Sequence, residues 1–143
     1  MPADDPVTVL SEDESWSLLS SVSLGRLVTI LGGQLEIFPV NFVTQRRTVL
    51  FRTAQGTKLY SAEMSGNVAF EADEHNAAEG WSVIVKGKAR LLSANADILD
   101  AGEAPLLPWI ATVKPHYVRV IATEITGRRF KFGPEPDRES TFA

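Results

Sequence analysis

Trp81-Ser82-Val83-Ile84-Val85-Lys86-Gly87-Lys88-Ala89-Arg90-Leu91-Leu92 is the stretch on which the fold turns. Trp81, Val83, Val85, Ala89 and Leu91 fall on one parity, and Ser82, Lys86, Lys88 and Arg90 on the other. Apolar–polar alternation sustained this long marks a β-strand with one face in a core and one in water, as strands of antiparallel sheets read. Working upstream, Asn67 to Asp73 reads as a strand, and the polar loop Glu74 to Glu79 joins it to the long one. Leu24 to Leu31 and Gln34 to Thr44 flank Gly32-Gly33, which predicts a β-hairpin. The second arm has an irregularity. Leu35 and Ile37 alternate with Gln34 and Glu36, but past Phe38-Pro39 the apolar Val40 and Phe42 take the other parity. Proline has no N–H to give a ladder, so a bulge or a sheet edge is expected at Pro39.

Gln45-Arg46-Arg47 reads as a turn, Thr48 to Thr53 as a strand and Tyr117 to Ile125 as a last strand. Helical signals are fewer. Ser11 with Glu14 forms a capping box opening a helix from about 12 to 22, with Trp16, Leu19 and Val22 at helical spacing. Gly56 to Ser65 reads as a short helix stopped by Gly66, Ala94 to Gly102 as a weak one, and Leu106 to Lys114 as an apolar stretch broken by Pro108. About six hairpin-linked strands predict a mainly β protein, a small antiparallel barrel with peripheral helices. The expected organisation is a mobile terminus over 1–10, one domain over 11–132 and a mobile tail over 133–143.

The composition sets the outer limits. A chain of 143 residues, 44% hydrophobic and 22% charged, is one globular domain rather than a disordered chain. No run of eighteen apolar residues occurs, and the start lacks a signal-peptide pattern, so neither a membrane span nor secretion is expected. The absence of cysteine excludes disulfides and thiolate chemistry and fits a cytoplasmic protein, and two histidines argue against a metal centre. The net charge of −4 argues against nucleic acid as a partner. That charge is uneven: residues 1–14 carry five acids and no base, whereas 37–62 carry Arg46, Arg47, Arg52 and Lys58 and no acid. Such an island reads either as a local anion site or as a solvated basic face.

Phe51-Arg52-Thr53-Ala54-Gln55-Gly56-Thr57-Lys58 ends a strand, turns at a glycine and opens a helix. Helix N-termini offer unpaired N–H groups to phosphate. Arg52 adds a bidentate fork, Lys58 a point charge, and Thr53 and Thr57 neutral donors. The spacing matches neither a Walker A loop nor a dinucleotide fingerprint. An ordinary strand–turn–helix joint with exposed bases is the alternative reading.

Four elements in order carry a family resemblance: Ser23-Leu24-Gly25-Arg26-Leu27; Pro39-Val40-Asn41-Phe42; Leu50-Phe51-Arg52-Thr53 with Gly56-Thr57-Lys58; and Gly80 to Ala89. With these the chain resembles the FMN-binding split-barrel family typified by pyridoxamine 5′-phosphate oxidase, and most closely its short actinobacterial-type members. The resemblance implies a six-stranded split β-barrel and a homodimer with a flavin in each of two clefts between subunits. It implies that Arg52, Thr53, Thr57 and Lys58 hold the FMN phosphate. The backbone at Pro39, Val40, Asn41 and Phe42 would line the isoalloxazine edge, and Ser82 would lie near the ring or ribityl chain. Trp81 is either packing or a ring neighbour, Trp109 either covers the cleft or belongs to the core, and Arg128 or Arg129 either reaches the cofactor from the other subunit or caps the surface. The end of the chain departs from the oxidase: Glu124 to Phe130 contains no tryptophan, which sets the vitamin-phosphate oxidase activity itself aside.

Three functions follow from these expectations. The first is an FMN-dependent oxidoreductase acting on a small molecule, with the cofactor carrying the hydride chemistry. The second is a reductase using a deazaflavin coenzyme, whose anionic tail would favour a groove built by Arg46, Arg47, Lys86, Lys88 and Arg90. The third is a non-catalytic dimer that binds flavin, haem or lipid. His116 as a haem ligand, a solvated His75, and Glu71 and Asp73 as outward-facing strand residues complete the inventory.

Overall fold

The computed structural model describes residues 5–53, 66–106 and 116–135. The strands are β1 Val7–Leu10, β2 Leu24–Leu31, β3 Gln34–Gln45, β4 Thr48–Thr53, β5 Asn67–His75, β6 Glu79–Leu91 and β7 His116–Lys131. The helices are α1 Glu12–Leu19 and α2 Asn95–Gly102. All pairings are antiparallel, in the order β1-β7-β4-β3-β2-β5-β6, and β6 also pairs with β7. That last pairing closes six strands into a barrel, and β1 is a seventh, laid on the far end of β7.

The alternation that opened the sequence reading is what closes the barrel. β6 turns Trp81, Val83, Val85 and Ala89 inward, against Phe42, Phe51 and Phe70 among others, and all of these are buried. Its register with β7 shifts once, between Lys86 and Gly87. A Cβ at Gly87 would lie 2.0 Å from the Ile121 carbonyl oxygen, so the close approach of the two strands there admits only glycine.

The helix at the start has the expected reciprocal cap. Ser11 Oγ accepts from the Glu14 N–H at 3.1 Å, and the Glu14 carboxylate accepts from the Ser11 N–H at 3.1 Å. It ends at Leu19, earlier than expected. Ser20 and Ser21 turn their hydroxyls back onto the Trp16 and Leu18 carbonyls at 2.8 and 2.6 Å, competing with further helical bonding.

One other expectation is corrected. Residues 7–10 are a strand, not part of a mobile terminus, because β7 runs to Lys131 and offers them an edge. No register shift occurs at Pro39, which pairs with Arg26 in an unbroken β2–β3 ladder. Pro39 instead satisfies the edge alternative, since, among the described residues, 34–41 of β3 pair only with β2 and β4 joins at Phe42. The predicted helix over 56–65 and the apolar stretch beyond Leu106 lie outside the described residues.

Two hairpins leave opposite ends of β3 through two-residue turns with positive φ at both central residues. Gly32 and Gly33 have φ of 57° and 79°, and Arg46 and Arg47 have 47° and 58°.

Candidate functional site

Strand alternation divides the residues singled out in the sequence into two sets. Val40, Phe42 and Thr53 face the interior and are buried. Pro39, Asn41, Arg52, Ser82 and Arg128 lie on the opposite parity of their strands, facing outward. Arg52 and Thr53 are neighbours in sequence but turn to opposite faces, so their side chains do not converge on one group. Thr57, Lys58 and Trp109 lie outside the described residues.

Arg52 faces Tyr117 across β4 and β7, with its guanidinium carbon 5.4 Å from the centre of the Tyr117 ring. Aromatic stacking of this kind holds a planar cation in place. Beside it runs the β3 edge. The Phe42 N–H donates to the Ser23 carbonyl at 3.0 Å, toward β2. By the alternation of antiparallel bonding, Pro39 and Asn41 turn their backbone groups to the other side. Proline is tolerated there because no ladder requires its donor.

The outer face carries a second constellation. Pro39, Arg26, Glu71, Ile84 and Thr126 stand in register across β3, β2, β5, β6 and β7, and Asp73, Ser82 and Arg128 form an adjacent row. Arg26 Nη1 donates to Glu71 Oε1 at 2.6 Å and to Asp73 Oδ2 at 3.2 Å. Ser82 Oγ donates to Glu71 Oε2 at 3.2 Å. Burial, reinforced by Asp73, holds the Glu71 carboxyl above the ordinary carboxylate range against the pull of Ser82 and Arg26. A cavity of about 330 Å³ opens beside it, lined by Ser82, Ile84, Thr126, Arg128 and Phe130. This arrangement can seat an anion on Arg128.

Other candidates resolve differently. Trp81 is core, 9% exposed, and forms part of a cavity of about 360 Å³ with Leu18, His75 and Arg129. Arg46 is paired with Asp100, Arg47 with Asp13, and Lys86 lies 4.0 Å from Glu124, so the basic groove reading loses three of its cations to internal partners. His75 packs edge-on to Phe132, with ring centres 6.4 Å apart. Tyr117 and Arg26 were not anticipated as site residues. Tyr117 is visible only through its register with Arg52, and Arg26 only through its register with Glu71.

A closed antiparallel barrel with a seventh strand on one stave defines the class: a split β-barrel. A family model described as pyridoxamine 5′-phosphate oxidase matches residues 11–129, and the chain belongs to that family. The uncharacterized protein Rv3129 of Mycobacterium tuberculosis is 63% identical over 101 residues, covering 71% of this chain and 92% of that protein. Among solved structures, the FAD binding protein from Mycobacterium smegmatis is 56% identical with a TM-score of 0.79, covering 87% of this chain and 99% of that one. A conserved protein of unknown function from Corynebacterium diphtheriae is 38% identical with a TM-score of 0.76, covering 88% and 99%.

Proposed function

We propose that the protein is a flavin-binding oxidoreductase of its family, with the flavin phosphate on Arg52 and the ring along the open edge of β3. The observation that carries this reading is the match, over nearly the whole of that chain, to the Mycobacterium smegmatis FAD binding protein. Arg52 over Tyr117 is what this chain supplies at the position where the family resemblance puts the phosphate. When bound, the flavin supplies the hydride chemistry. The residues of this chain would orient it. FAD contains the FMN moiety, so one phosphate seat serves both, and the relative favours the dinucleotide. The internal pairing of Arg46 and Arg47 counts against a deazaflavin tail in that groove. In the homodimer of this reading, Ser82 and Arg128 of one copy approach the flavin held by Arg52 of the other. Residence in the cytoplasm accompanies it.

The test is titration of the full chain with FMN, FAD and a deazaflavin coenzyme, followed by reduction with a nicotinamide. Arg52→Ala is expected to weaken flavin binding by about 1.5–3 kcal/mol, the worth of a hydrogen bond to a charged group, or roughly 10- to 150-fold. No saturable flavin binding overturns the reading. Binding without reduction moves it to the non-catalytic dimer.

A further inference from the structure

The outer-face cavity has a chemistry that holding a flavin does not by itself require. Five side chains line it: Ser82 and Ile84 of β6, and Thr126, Arg128 and Phe130 of β7. Cross-strand register builds it. Ser82 stands opposite Arg128 and Ile84 opposite Thr126, while Gly80, opposite Phe130, adds no side chain beside the ring. Its volume of about 330 Å³ is at the small end of ligand pockets, which run from about 300 to 1,000 Å³.

The polar groups divide by what they can offer. Among the described residues Arg128 meets no carboxylate, whereas its chain neighbour Arg129 is held by Glu79, and Arg26 by Glu71 and Asp73. The Thr126 hydroxyl likewise has no partner among the described residues. Ser82 commits its hydroxyl proton to Glu71 Oε2 at 3.2 Å, so toward the cavity it can only accept. An oxyanion is therefore drawn to Arg128 and Thr126 on the β7 side. The apolar Ile84 and Phe130 are left for the body that carries it.

Charge limits the anion. Asp73 stands in the same row on the far side of Ser82, two strand spacings or roughly 10 Å from Arg128. Asp73 and Glu71 share the single guanidinium of Arg26, and on the other flank Lys86 and Glu124 pair with each other. The surroundings thus hold more carboxylate than they balance, and a dianion meets that repulsion twice over.

We propose that this cavity binds a small monocarboxylate with an apolar, ring-sized body, its carboxylate on the fork of Arg128 and its body against Phe130 and Ile84. That this is the substrate seat rests on the flavin reading above, in which this face approaches the flavin of the other copy. The binding itself does not depend on that reading.

Equilibrium binding of benzoate, benzamide and inorganic phosphate to the full chain without added flavin tests the proposal. Benzoate is expected to saturate at one per chain, with benzamide and phosphate each about tenfold weaker or more, the worth of a hydrogen bond to a charged group. Arg128→Met is expected to weaken benzoate about tenfold or more, and Thr126→Val roughly three- to tenfold. Arg90→Met makes the same change of charge at another exposed arginine and is expected to leave benzoate binding unchanged. No saturable benzoate binding, phosphate as tight as benzoate, or an equal loss in Arg90→Met overturns the proposal. In the chain loaded with FAD, benzoate is expected to shift the visible absorption band of the flavin, and binding without a shift overturns the substrate role. A wild type that binds benzoate but no flavin removes the cofactor reading alone.

Discussion

The two turns that leave β3 have nearly the same backbone and opposite side-chain chemistry. Gly32-Gly33 has no atoms close to either position and carries nothing but the reversal of the chain. Arg46-Arg47 adopts the same left-handed conformation with two bulky residues, where Asn-Gly is the usual choice. Each arginine bears a backbone cost of about 1 kcal/mol or more there, and each repays it by fastening a helix, α2 through Asp100 and α1 through Asp13. A turn with no duties takes glycine. A turn that serves as an anchor accepts strain to place its side chains.

The largest expected effect breaks the glycine turn. Changing Gly32 and Gly33 together to Val should lower the unfolding free energy by about 2–4 kcal/mol, since a β-branched residue at positive φ is strained even in open space. Urea unfolding reads it directly, and a double variant as stable as the parent would dismiss the backbone argument. Next comes the ion cluster on the outer side of the same hairpin. The folded state raises the Glu71 pKa, so its contribution is most favourable below the ordinary carboxylate value and is lost as pH rises through the raised value. Glu71→Gln should therefore gain stability relative to wild type as pH rises above the ordinary carboxylate value, by less than about 1 kcal/mol given the solvent exposure of the cluster. An opposite sign in paired denaturation curves would mean that Arg26 outweighs burial. The smallest effect sharpens the comparison at the second turn. Arg47→Gly removes strain and an exposed ion pair of similar size, so low-salt stability should change by no more than about 0.5 kcal/mol. In 1 M salt, with the pair screened, the variant should become the more stable of the two. Thermal unfolding at two salt concentrations tests this.

Features set by near neighbours were legible in the sequence. Ser11 and Glu14 named their own helix start, Gly32-Gly33 named a hairpin, and the parity of Trp81 to Leu91 named the strand that closes the barrel. What depended on distant partners was not. Val7 to Leu10 becomes a strand only because Gly127 to Phe130 arrives beside it, and Val7 and Val9 remain largely exposed, so no burial pattern announced it. The last strand was cut short at Ile125 because the glycine and arginines that follow hide its alternation. Arg52 and Thr53 looked like partners through adjacency, yet adjacency in a strand sends side chains apart. Ser82 gains a carboxylate acceptor only because the β5–β6 register brings Glu71 to it from eleven residues away.

β7 gives one edge to β6 along most of its length and divides the other between β4, at Thr48–Thr53, and β1, at Val7–Leu10. For a chain leaving the ribosome N-terminus first, this has a consequence in time. The first strand to emerge must wait for the last before it has a partner, and β4 and β6 also keep an open edge until β7 appears. Synthesis must therefore pass Lys131 before the barrel can close, and until then β1, β4 and β6 each lack the partner that β7 provides and need shelter from other chains.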